Sequence, residues 1–162
     1  MYELIESFQK SDDYYFIDFI PYETNDVSFL DLEEYFESTY LHTFADKISR
    51  IALKMIYFLH CEIYLTEAPI PVELEHEISF DVNIRNSSPD KLAYIINKIV
   101  SMDFSSAQII FTEPQFLISI DGGFSVSIYK PTDQVLQILK KLVSQEGLFL
   151  KYRKPPDVKL IM

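Results

Sequence analysis

Residues 107–129 read Ala-Gln-Ile-Ile-Phe-Thr-Glu-Pro-Gln-Phe-Leu-Ile-Ser-Ile-Asp-Gly-Gly-Phe-Ser-Val-Ser-Ile-Tyr, and this stretch decides the fold. Ala107–Thr112 is a short apolar run bounded by Pro114. Phe116–Ile120 and Phe124–Tyr129 flank Asp121-Gly122-Gly123. Glycine supplies the positive φ that a tight antiparallel turn requires, so the segment predicts three consecutive strands with a hairpin at 121–123.

Working outward, Ser88 and Pro89 form a helix start, with the serine as N-cap and the proline at the first helical position. Leu92, Ile95, Ile96, Ile99 and Val100 then recur at helical spacing and predict a helix over 89–102. Beyond the hairpin, Pro131-Thr132 opens a second helix over 132–145. Its stripe is Val135, Ile138, Leu139, Leu142 and Val143, and Gly147 is its C-terminal cap. Leu148–Tyr152 reads as a last strand, closed by a Pro155-Pro156 tail. On the other side, His76–Arg85 alternates, with Ile78, Phe80, Val82 and Ile84 inward and Ser79, Asp81, Asn83 and Arg85 outward, which predicts a half-buried strand. The fold class expected is α+β: an antiparallel sheet with helices on one face. The second half takes a ferredoxin-like β-α-β-β-β-α-β order.

The N-terminal region is less regular. Tyr14–Ile20 and Cys61–Thr66 are predicted strands. Ser28-Phe-Leu-Asp31 and Thr43-Phe-Ala-Asp46 match the Ser/Thr-x-x-acid start of a helix. The second of these carries Phe44, Ile48, Ile51, Ala52, Met55, Ile56 and Leu59 on one face. Ala68-Pro69-Ile70-Pro71 is a stiff connector. The expected organisation is therefore an acidic N-terminal segment, 1–71, packed on an α+β sandwich, 72–162, as one structural unit.

Charge is spread unevenly. Residues 1–81 carry eighteen acids against four bases, and residues 82–162 carry seven against ten, for a net of −11. A field this negative repels nucleic-acid phosphate and anionic lipid and attracts basic protein surfaces. The start, Met1-Tyr-Glu-Leu-Ile-Glu, lacks the basic and apolar regions of a secretory signal. The most apolar stretch, Ile51–Leu65, is interrupted by Lys54, His60 and Glu62 and is too short to span a bilayer. One cysteine, Cys61, forms no intramolecular disulfide, so a reducing cytoplasm is expected.

Three glycines are too few for a dinucleotide fingerprint or a phosphate-binding loop. His42 and Asp46 lie four apart, but a zinc site needs three or four ligands, and Asp46 is read as a helix-capping acid. His60 and Cys61 are adjacent and so point apart, which leaves Cys61 as a small buried hydrophobe. Glu73, Glu75 and Glu77 would share one face of an extended segment, where a charged strand edge discourages aggregation. No catalytic residue, metal ligand or cofactor is expected.

Two surfaces remain. Ser119, Asp121, Ser125 and Ser127 stand at outward strand positions and suggest a wet sheet face, or the floor of a groove. The other is the acidic, aromatic stretch of Asp12, Asp13, Tyr14, Tyr15 and Asp18, followed by Glu33, Glu34, Tyr35 and Glu37. Tyrosine offers contact area at small entropic cost, and acids steer and select a basic partner. The functional expectation is a non-catalytic acidic binding domain for a basic protein surface. Immunity proteins that neutralise nuclease toxins share this composition. The alternatives are a sensor or enzyme with a pocket between the N-terminal helices and the sheet, and a homo-oligomeric structural subunit.

Overall fold

Three helices that each carry a single apolar stripe need a common surface to bury it, and an antiparallel sheet supplies that surface. The computed structural model describes residues 1–22 and 29–154. Along the chain run α1 (Tyr2–Gln9), β1 (Tyr14–Asp18), α2 (Phe29–Thr39), α3 (Leu41–Phe58) and β2 (Cys61–Leu65). A 3₁₀ turn (Val72–Leu74) precedes α4 (Pro89–Met102), β3 (Ser106–Thr112), β4 (Gln115–Asp121), β5 (Val126–Tyr129), α5 (Asp133–Gln145) and β6 (Phe149–Arg153). The six strands form one sheet in the order β2-β3-β4-β5-β1-β6, every neighbour antiparallel.

Local chemistry fixes the element ends. The Ser88 hydroxyl accepts from the Lys91 amide at 3.2 Å, and Thr132 does the same for Val135 at 3.3 Å, so both helices start on a side-chain cap. At the end of α5, Gly147 takes φ +71°, and the Leu148 amide donates to the Val143 carbonyl at 3.1 Å. This left-handed closure satisfies carbonyls that the helix leaves open. Gly122 is required by close approach: a Cβ there would fall 2.6 Å from the Asp103 Cα, at the left-handed end of α4. The Gly123 amide donates to the Val100 carbonyl, so the hairpin also terminates α4.

The core lies between the sheet and α3, α4 and α5. Phe44, Ile48 and Met55 of α3, Ile95 and Ile99 of α4, and Leu139 of α5 meet Ile63, Ile109, Phe111, Ile118 and Ile128 of the strands in one cluster. Phe111 and Phe116 stack across β3 and β4 at 4.2 Å. The sheet draws β1 and β2 from before residue 71 and four strands from after it.

Four features differ from expectation. The strand expected at 76–85 does not form, so the ferredoxin-like order lacks its first strand. Asp81 adopts φ +59°, which breaks the pleat, and the segment docks beside β2 through two bonds only. The Ile63 amide donates to Asn83 Oδ1 and the Ile84 amide to the Ile63 carbonyl, each at 2.9 Å. Ile78, Phe80 and Ile84 still reach the core, but Val82 is 48% exposed. Glu73, Glu75 and Glu77 accordingly sit on turns and share no extended face.

Second, helices cover both faces of the sheet. The unanticipated α1 lays Ile5 and Phe8 on Ile110 and Leu117, opposite the main core. Third, the wet face is therefore partly closed: Gln108, Ser119 and Ser127 are all buried. Fourth, α3 starts at Leu41, so Thr43 lies inside its first turn, and only Tyr40 separates α3 from α2. Asp46 caps nothing; it accepts from Asn97 Nδ2 at 2.6 Å and fastens α3 to α4. Ser28 and the Pro155-Pro156 tail lie outside the described residues. Among the described residues no helix is long and apolar enough to cross a membrane.

Candidate interaction surface

Strand β1 sorts its side chains by alternation. Ile17 is buried in the main core, with Tyr15 and Phe19 packed at its margin. Tyr14, Phe16 and Asp18 point to the opposite face. There the register sets Phe16 beside Ser127 of β5 and Lys151 of β6, and Tyr14 beside Arg153. The rings of Tyr14 and Tyr129 lie 5.6 Å apart. Burial raises the pKa of the Tyr129 phenol, against a hydrogen bond with Ser127 that lowers it. Its proton stays in place at neutral pH.

Much of the acid in 12–18 is answered within the chain. Lys151 Nζ reaches Asp18 Oδ2 at 2.8 Å and the Tyr22 carbonyl at 2.9 Å, while the Phe19 amide donates to Asp18 Oδ1. The Tyr152 hydroxyl donates to Asp13 Oδ2 at 2.7 Å. Arg153 Nη1 donates to the Tyr14 hydroxyl, and its guanidinium sits 5.3 Å from the Phe16 ring centre. The charge asymmetry of the sequence is thus partly folded away, because β6 brings Lys151 and Arg153 alongside β1.

Helix α2 behaves differently. None of its residues is buried. It is held through Phe36, whose ring lies 5.2 Å from Phe19 and 6.0 Å from Tyr40. Phe19 in turn touches Phe124 at 4.5 Å, which carries the aromatic contact into the β4–β5 turn. Leu30, Leu32 and Tyr35 face solvent, with Leu30 62% and Tyr35 60% exposed. Asp31, Glu34 and Glu37 are exposed beside them, Glu33 is half-buried, and the helix contains no base.

Among the described residues, two depressions flank α2. One, of about 240 Å³, opens on the α1 side of the sheet between β1, β5 and α2, lined by Tyr14, Phe16, Asp18, Phe19, Phe29, Glu33, Phe124, Ser125, Ser127 and Arg153. The other, of about 360 Å³, is the apolar groove between Phe19–Tyr22 and Leu32, Phe36 and Tyr40.

Of the sequence-expected site residues, Tyr14, Asp18 and Glu33 converge on the first depression. Asp12 and Asp13 are exposed at the start of β1, and Glu34, Tyr35 and Glu37 occupy the outer side of α2. Tyr15 does not join them; its ring packs on Tyr152 at 4.9 Å beside α5. Sequence reasoning missed Phe16, Phe29 and Arg153. Aromatics at alternate outward positions of β1 were the available signal.

His42, His60 and His76 are exposed on separate elements, and no group of three or more histidine, cysteine or acidic residues is placed to hold a metal among the described residues. Cys61 is buried, which pushes its thiol pKa up despite the nearby Arg85. Comparison with protein-family models, curated protein sequences and solved structures finds no match for this chain.

Proposed function

We propose that this chain is a non-catalytic, acidic protein-binding domain whose target is a basic protein surface. The observation that carries the reading is α2: a helix with no buried residue, four acids, no base, and three large apolar side chains turned to solvent. A solvated helix face serving solubility alone has no use for Leu30 and Tyr35, whereas an interface uses such residues as anchors and the acids around them for steering. Neutralisation of a basic toxin, in the manner of an immunity protein, is one form this function takes. The lone buried Cys61 supports a reducing cytoplasm as the working compartment.

The test uses a partner captured from the native host, with association followed across salt concentrations. Reversing Asp31, Glu34 and Glu37 to lysine is expected to slow association at low salt by about tenfold or more, because peripheral charges act on encounter. Folding stability should move by less than about 0.5 kcal/mol, since these are exposed positions. Tyr35→Ala should instead speed dissociation, equivalent to about 1–3 kcal/mol for an anchor buried on binding. An unchanged association rate in the folded charge-reversed variant refutes the reading.

A further inference from the structure

We infer that the cleft between β1, β5 and α2 is a receptor for one cationic side chain of that partner, an arginine guanidinium above all. The inference deepens the binding reading and rests on it. Three observations on the cleft carry it.

Its walls are aromatic. Phe16, Phe19, Phe29 and Phe124 line it together with Tyr14, and aromatic faces attract cations through their quadrupole. The same wall already holds cations from this chain. Arg153 lies 5.3 Å from the Phe16 ring centre and 5.8 Å from that of Tyr14, and Lys151 lies 5.9 Å from Phe16. A guanidinium and an ammonium of this chain thus already lie against these rings.

The second observation concerns the carboxylates. Asp18 is spent on Lys151 and on the Phe19 amide. Glu33 enters the cleft from α2, is half-buried, and has no hydrogen-bond or ion-pair partner among the described residues. A half-buried carboxylate facing aromatic rings completes the chemistry that recognises a planar cation, with the acid taking its N–H groups and the rings its face.

The third is size. At about 240 Å³ the cleft falls below the roughly 300–1,000 Å³ typical of pockets that enclose a whole small ligand. One side chain on its stem fits that space better than a nucleotide or sugar does.

The probe is N-acetyl-arginine amide, titrated into the isotope-labelled full chain, with affinity read from amide shifts. Shifts are expected at Phe16, Ser125, Ser127 and Glu33. Glu33→Gln should weaken binding by about two- to fivefold, the scale of one ion pair at a partly exposed site, the aromatic wall being left intact. Arg153→Ala should tighten it, because that change removes a competing cation from the same wall. Both residues lie outside the core, and the variants are checked by circular dichroism. N-acetyl-lysine amide should bind more weakly than the arginine probe.

Weaker binding in Arg153→Ala would overturn the inference, since Arg153 would then support the probe rather than compete with it for the Phe16 and Tyr14 rings. Shifts confined to Glu34 and Glu37 on α2, with none in the cleft, would overturn it too while leaving the acidic-surface reading intact. Failure of that reading shows elsewhere, as a partner association rate indifferent to charge reversal on α2.

Discussion

The two faces of this sheet are finished differently. On one, α3, α4 and α5 press a continuous apolar layer onto all six strands; α4 and α5 start on side-chain caps, and the Asp46–Asn97 contact ties α3 to α4. On the other, α1 covers little beyond Ile110 and Leu117, which it buries under Ile5 and Phe8, and past that patch the surface turns to tyrosine, serine and charge. The first face holds the fold. The second is free to vary its chemistry because little of the core depends on it.

The contrast can be broken most sharply at Phe111. It is fully buried and stacked on Phe116, so Phe111→Ala is expected to cost about 3–5 kcal/mol in chemical denaturation. A loss under about 1 kcal/mol would mean the helix-covered face is not the stabilising one. Phe8→Ala should cost less, about 1–2 kcal/mol, even though Phe8 is 4% exposed. Only α1 depends on it, so hydrogen exchange should show α1 opening while β3, β4 and α4 stay protected. Loss of protection across α4 as well would show that the faces unfold as one and erase the distinction.

The smallest effect belongs to Arg50 and Glu146, which pair at 2.8 Å on the outer side of the helical layer. The hydrogen bond from Arg50 holds the Glu146 carboxyl below its usual range, with burial opposing. Because the folded-state value is lowered, the contribution is present above the ordinary glutamate pKa and fades as pH falls through the lowered one. Arg50 is half exposed, so Glu146→Gln should cost under about 1 kcal/mol at neutral pH and nothing further in acid.

Sequence legibility followed the same division. The helices at 89–102 and 133–145 and the strands between them were readable because caps, glycines and apolar periods agree there. The segment 76–85 misled because period two reports which side chains are buried, and Ile78, Phe80 and Ile84 do reach the core without forming a ladder. One left-handed residue, Asp81, undid the strand, and nothing in its neighbours announces that. Helix α1 was missed although Leu4, Ile5 and Phe8 recur at helical spacing, because it spans barely two turns and has no side-chain cap to mark its start. The candidate surface was legible only as composition. Acid and tyrosine in 12–37 marked the region, but the pairing of Asp18 with Lys151, 133 positions away, is a product of topology. Half-by-half charge counts are blind to it.

The amide of Asn83 has a consequence at the scale of assemblies. By supplying Oδ1 to the Ile63 amide, it stands in for a peptide carbonyl on the outer side of β2, and Ile84 occupies the next bond. That margin offers little to a strand from another molecule. Among the described residues the opposite margin, β6, pairs on one side only. The two margins are therefore unlike in the backbone groups they offer. Two copies joined through β6 would leave their β2 margins outward, where the Ile63 amide and carbonyl are already taken, so further strand addition there would be disfavoured.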